Sequence, residues 1–158
     1  SEAGIQSPYI GGFNDTIEFD ANGGLIVCTA PFEDYTVEQI TRFDAENRVL
    51  YQKTLSAPKT IVSVTNAFPS ADGSVTLYGT AMANSRKLFT LYRLDLDAQG
   101  NIAAVDIRDF TTRVGYLYNV RADAQGHIYA IACDYKKPIA VVPFEDLPAH
   151  DDPGLILE

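Results

Sequence analysis

Asn66 and Asn119 each stand seven residues before a turn glycine, Gly73 and Gly126. Thr16 fills that place before Gly23, with Asn14 two residues away and Asp15 and Glu18 beside it. Amides recurring at one position can hydrogen-bond a polar ligand or coordinate an oxygen-liking cation. The competing structural role is to satisfy backbone groups at a strand end. Asn14, Asn66 and Asn119, with Tyr116 and Tyr118 near the last of them, are the ligand-binding candidates. Asp15, Glu18, Asn66 and Asn119 are the metal-ligating ones.

Other chemistry is sparse. Asn14-Asp-Thr16 is a glycosylation sequon, which has meaning only in a secreting host. His127 and His150 are the only histidines, and no serine or cysteine nucleophile sits in an elbow beside them. Surface placement is expected of both. Cys28 and Cys133 lie in apolar runs and read as buried free thiols. Neither CxxC nor HxxxH spacing occurs, so no zinc-type motif is present. GxGxxG and P-loop sequences are absent too. Nine tyrosines and no tryptophan make tyrosine the prominent aromatic. Tyr9, Tyr35, Tyr116 and Tyr118 fall in or beside loops and first strands, where a ring plus a hydroxyl suits carbohydrate or protein recognition. The other role for tyrosine is simply to fill strand positions.

These residues are carried by a repeat. Asp20-Ala-Asn-Gly23-Gly-Leu-Ile-Val, Ser70-Ala-Asp-Gly73-Ser-Val-Thr-Leu and Asp123-Ala-Gln-Gly126-His-Ile-Tyr-Ala each pair a turn with an apolar run. The glycines are 50 and 53 residues apart. Thr41-Arg-Phe-Asp44, Tyr92-Arg-Leu-Asp95 and Val142-Pro-Phe-Glu145 recur with nearly the same period. Each is followed by an acidic turn and a further apolar run: Val49-Leu-Tyr, Ile102-Ala-Ala-Val and Leu155-Ile-Leu. Val, Ile, Thr, Tyr and Phe dominate, as strands prefer. The expected architecture is therefore all-β, with three four-stranded antiparallel meanders of about 50 residues in one domain spanning residues 1–158. The units run near 8–56, 57–112 and 113–158. Thr36-Val-Glu-Gln-Ile-Thr-Arg-Phe admits one helical turn, but its counterpart in the second unit is rich in strand formers, so strand is expected.

A four-stranded meander repeating at this length is the pattern of β-propeller blades. The second strand of each unit is a near-continuous apolar run, as a strand covered on both faces requires. Asp123-Ala-Gln-Gly126-His-Ile-Tyr129 and Leu96-Asp-Ala-Gln-Gly100-Asn-Ile102 resemble the divergent bacterial repeats of the broad β-propeller superfamily. That resemblance covers nearly the whole chain but points to no particular family, and without tryptophan there is no WD signature. It implies that first strands line a central channel. It also implies that a calcium- or zinc-dependent lactonase-like set could come from Asp15, Glu18, Asn66 and Asn119. Metal-dependent hydrolysis or lyase chemistry is the alternative activity on that basis.

Three blades are too few to close, since rings have typically about 4–8. The expected partners are a second copy forming a six-bladed ring, or the remainder of a longer propeller. A smaller irregular β-domain is the third way to pack the units. Composition narrows the rest. The 158 residues suit one domain, and 21 acidic against 12 basic residues leave a net charge of −9. Such a balance argues against nucleic acid and against anionic membranes. No apolar run approaches the roughly 20 residues of a membrane span. Ser1-Glu2-Ala3-Gly4 looks like a trimmed start, so a removed signal or lipoprotein anchor stays open and an extracytoplasmic location is favoured. The function expected is a non-catalytic binding or interaction module with a protein or glycan ligand. No cofactor is expected, with calcium the ion a metal site would take.

Overall fold

The computed structural model describes residues 12–83, 89–110, 116–134 and 137–158, with side chains for 16–82, 90–110, 120–131 and 141–158. It is all-β, in three antiparallel sheets. The first holds β1 (Gly12–Phe19), β2 (Leu25–Pro31), β3 (Glu38–Phe43) and β4 (Val49–Ser56) as a meander. The second holds β5 (Thr60–Pro69), β6 (Val75–Ala83), β7 (Phe89–Leu96) and β8 (Ile102–Asp109) in chain order. The third holds β9 (Tyr116–Ala122), β10 (Ile128–Asp134) and β11 (Lys137–Pro143). A single 3₁₀ turn, Phe144–Asp146, follows, and β12 (Ile156–Leu157) ends the chain.

The third meander departs from expectation. Ile156–Leu157 stands in the repeat where a fourth strand of the third sheet would fall. Instead β12 pairs antiparallel with β4, Ile156 opposite Ser56 and Leu157 opposite Leu55. The sheets therefore have five, four and three strands rather than four each. The reason lies in the connection. Elsewhere the third and fourth strands join through a short turn, whereas residues 144–155 form a long tail that leaves β11. Phe144 and Leu147 plug into the core between the second and third sheets. Ala149 then bridges Arg108 on the edge of β8, with the Asp109 N–H donating to Pro148 O and the His150 N–H to Ile107 O. The tail thus crosses the edge of the second sheet before reaching the first, and its backbone groups bond to two otherwise open edges.

One local structure explains the turn signals. At Asp20, Asp44, Ser70, Asp97 and Asp123 the chain makes the same four-residue reversal. In each, the N–H of the fourth residue donates to the carbonyl of the first, and the first N–H donates to the carbonyl of the fifth. The fourth residue needs positive φ, a left-handed conformation that costs glycine little. Glycine fills it at Gly23, Gly73, Gly100 and Gly126, and Asn47, with φ 63°, fills it once. Aspartate carboxylates close the loops: Asp97 Oδ1 accepts from the Gln99 and Asn101 N–H groups at 2.9 and 2.8 Å. Asp20 and Asp123 do the same for their own loops. Within the segment that begins at Thr36, Glu38–Phe43 is strand β3, as its counterpart in the repeat predicted, while Thr36 lies in the preceding turn.

The second sheet lies between the other two and is covered on both faces. Strand alternation puts Val62, Val64, Leu77, Leu94 and Leu96 toward the first sheet, where they meet Ile26, Cys28, Ile40 and Leu55. It puts Tyr78 and Leu91 toward the third, where they meet Val120, Ala130 and Phe144. In the first sheet, Ile26, Val27, Cys28, Thr29 and Ala30 of β2 are all buried as well, although only one face of that sheet meets the second. The first strands lie side by side, β5 against both β1 and β9. Tyr92, on the face of the second sheet turned toward the first, lies close over its own sheet. It is fully buried and its hydroxyl donates to Ser63 O at 2.7 Å. Gly79 beneath it has no room for a side chain, since a Cβ there would stand 2.0 Å from Ser63 O and 2.2 Å from Tyr92 Oη.

Two faces look outward. Ile17, Phe19 and Val49 lie opposite Val27, Leu25 and Phe43, on the side of the first sheet turned away from the second. They are exposed, Phe19 at 70%. Val141, on the corresponding side of the third sheet, is exposed as well. No helix among the described residues is long and apolar enough to cross a membrane.

Candidate functional site

The amide positions singled out by the repeat act as stitches between first strands. Thr16 Oγ1, on β1, donates to Val64 O of β5 at 3.2 Å. Asn66 Oδ1, on β5, accepts from the Val120 N–H of β9 at 3.1 Å. Each satisfies a backbone group at the seam between two sheets. Asn119 lies on β9 opposite Ile131, and Tyr116 opposite Cys133. The side chains of Asn119, Tyr116 and Tyr118, like those of Asn14, Asp15 and Cys133, fall outside the described ones. Glu18 is exposed on β1 opposite Ile26. Among the described residues, no three His, Cys, Asp or Glu side chains cluster closely enough to hold a metal ion. Cys28 is a buried free thiol whose pKa is pushed up by burial and secondarily by the nearby Glu38, so it stays protonated and inert.

Polar groups converge elsewhere. A cleft of about 580 Å³ opens between the second and third sheets, at the end carrying the glycine turns. Its floor is aromatic. Tyr78 lies edge-on to Phe68 and Phe144, with ring centroids 5.8 and 5.6 Å apart. Burial pushes the Tyr78 hydroxyl pKa up, so the phenol stays neutral and can donate.

The wall on the second sheet comes from two consecutive strands. Arg93 on β7 and Asp106 on β8 are cross-strand partners, and Asp95 and Arg108 lie two residues along on the same face. Arg93 Nε donates to Asp95 Oδ1 at 3.1 Å, and Thr76 Oγ1 donates to that oxygen at 2.8 Å. Arg108 grips Asp106 with two bonds, Nε to Oδ1 at 2.7 Å and Nη2 to Oδ2 at 2.9 Å. Its Nη1 donates to the carbonyls of Leu147 at 3.0 Å and Glu145 at 3.3 Å, and the guanidinium lies 5.1 Å from the Phe144 ring centroid. Arg108 is thus the clasp that holds the tail at the rim of the cleft. The carboxylates hold both guanidiniums firmly charged, Asp95 for Arg93 and Asp106 for Arg108.

The opposite wall is the third sheet's turn. His127 Nδ1 lies 2.9 Å from Asp123 Oδ2, and the half-buried Tyr129 reaches the same oxygen at 3.5 Å. Burial raises the Asp123 pKa, but bonds from the His127 ring and from the His127 and Gln125 N–H groups outweigh it, and the carboxyl sits below the usual range. His127 is exposed at the rim, as expected, and joins the site nonetheless. Phe68 and Ala122 are the first-strand members of this lining.

Arg93, Asp106, Arg108, Tyr78 and Tyr129 were not singled out in the sequence. A signal was present: Arg93-Leu-Asp95 and Asp106-Ile-Arg108 put opposite charges two apart on consecutive strands, hence on one face. No family model, curated protein or solved structure matches this chain.

Proposed function

We propose that this chain is a non-catalytic binding module of β-propeller type, and that the cleft between its second and third sheets takes the ligand. The cleft is the observation that carries the reading. Its volume falls within the range of about 300–1,000 Å³ typical of ligand sites, and its aromatic floor and few convergent polar groups match their anatomy. Propeller character is supported by consecutive meanders stacked face to face with their first strands side by side. The outward apolar faces of the first and third sheets are then completed by a second copy in a six-bladed ring, or by the rest of a longer propeller.

Two measurements test this. Amide chemical-shift mapping against a panel of glycans and peptides should move signals of Tyr78, Arg93, His127 and Tyr129. Ligand turnover, or binding that leaves these signals in place, overturns the reading. Light scattering across a wide concentration range should give the mass of two chains for the homodimer. A monomer at all concentrations, stable and free of aggregation, removes the ring.

A further inference from the structure

We infer that the cleft recognises a neutral polyhydroxylated ligand, a saccharide, rather than an anion; this rests on the binding-module reading above. The first observation is charge. Two guanidiniums line the cleft, and so do two carboxylates, Asp106 and Glu145. Each guanidinium is already bound by a carboxylate on its own sheet, Arg93 by Asp95 and Arg108 by Asp106. A phosphate or sulfate would have to compete with an ion pair made before it arrives. An anion site would instead leave cations unneutralised at its mouth. A chain of net charge −9 adds long-range repulsion.

The second observation is what these pairs leave unspent. Arg93 donates through Nε to Asp95, and its side chain is 45% exposed. His127 uses Nδ1 on Asp123, and its side chain is 66% exposed, with Nε2 on the other side of the ring. Tyr129 contributes a hydroxyl held only loosely by Asp123, at 3.5 Å, and Glu145 an exposed carboxylate. Donors and acceptors are thus mixed at close quarters and held by partners in rigid strands. Adjacent sugar hydroxyls, each both donor and acceptor, match such a mixed set. The aromatic floor of Phe68, Tyr78 and Phe144 and the ring of Tyr129 suit the apolar C–H face of a pyranose. Bonds made by preordered groups lose less entropy on binding.

The experiment uses the full chain, with calorimetry and amide-shift mapping. The probes are a set of neutral hexasaccharides, a sulfated hexasaccharide and an acidic peptide. A neutral hexasaccharide should bind and shift the cleft signals, at least about tenfold more tightly than the sulfated probe at 0.15 M salt. Tyr129→Phe, which removes only the hydroxyl, should weaken it about fivefold while leaving the thermal midpoint nearly unchanged. His127→Ala, which also gives up the exposed bond to Asp123, should weaken it about fivefold to tenfold with only a small drop in midpoint. Tighter binding of the sulfated probe, or neutral binding indifferent to both variants, overturns the inference. Peptide binding in the cleft without any saccharide binding overturns the ligand class while the binding-module reading stands. Absence of any cleft response to all probes removes both.

Discussion

Arg108→Ala should unclasp the tail. In the native chain the side chain makes a two-bond pair with Asp106, two bonds to tail carbonyls and a contact with the Phe144 ring. The ion pair is partly exposed, so its share is about 0.5–1 kcal/mol. The bonds to Glu145 O and Leu147 O come from a charged donor but lie near solvent, and contribute about 1 kcal/mol together or somewhat more. The ring contact contributes about 0.5–1 kcal/mol. The variant should therefore lose roughly 2–3 kcal/mol in urea unfolding, read from the midpoint at unchanged slope. The loss should be local as well as global. Amide exchange at His150 and Glu158 should accelerate more than in β6, because their N–H groups bond to Ile107 O and Thr54 O at the edges of β8 and β4. Arg108→Lys keeps the charge but not the fork, and should recover less than half of the loss. A change below about 0.5 kcal/mol, or lysine serving as well as arginine, would refute the clasp.

Gly79→Ala should be among the most damaging single-methyl changes in the chain. The added Cβ meets Ser63 O and the Tyr92 ring, and displacing that ring breaks a buried hydroxyl bond, for a loss of about 2–4 kcal/mol in chemical denaturation; full stability in this variant would mean the Tyr92 ring does not lie so closely over Gly79. Acid should weaken the fold through its turn aspartates. Asp20, Asp44, Asp97 and Asp123 all sit below the usual carboxyl pKa: burial opposes this at each, but bonds from loop N–H groups and side chains prevail. Their unfolded pKa is about 3.9, so the stability they supply is complete above it and is lost as pH falls through the lower folded values. Urea midpoints should hold between pH 5 and 7 and fall steeply toward roughly pH 2. Asp20→Asn, which also removes the buried partner of Arg42, should lower stability at neutral pH and flatten the acid slope; an unchanged slope contradicts the assignment.

Much of the architecture was legible because turns are encoded by consecutive residues. Asp-Ala-Gln-Gly, with glycine able to hold positive φ, dictates a reversal wherever it stands, and its spacing dictates a meander. The apolar second strands announced sheets covered on both faces, which holds for the second sheet, while the first and third each keep an outward face with exposed apolar side chains. The oxygen-bearing position before each turn was visible as a repeat, though its described members serve the seams. Asn66 meets Val120 N–H only because β5 and β9 lie side by side.

The cleft and the tail are tertiary facts. Tyr78, Arg93, Arg108, Tyr129 and Phe144 come from five separate segments and meet only when two sheets stack. Their identities alone carry no information about that meeting. β12 is the sharper case. Its apolar residues and its place in the repeat suit a fourth strand of the third sheet. Two residues form too few ladder bonds to choose a partner by themselves. The choice falls to the long tail before them, where buried Phe144 and Leu147, the Arg108 clasp and the edge of β8 aim the chain at β4. Local turn chemistry determined where the chain reverses, and packing between sheets decided which edge its last strand would join.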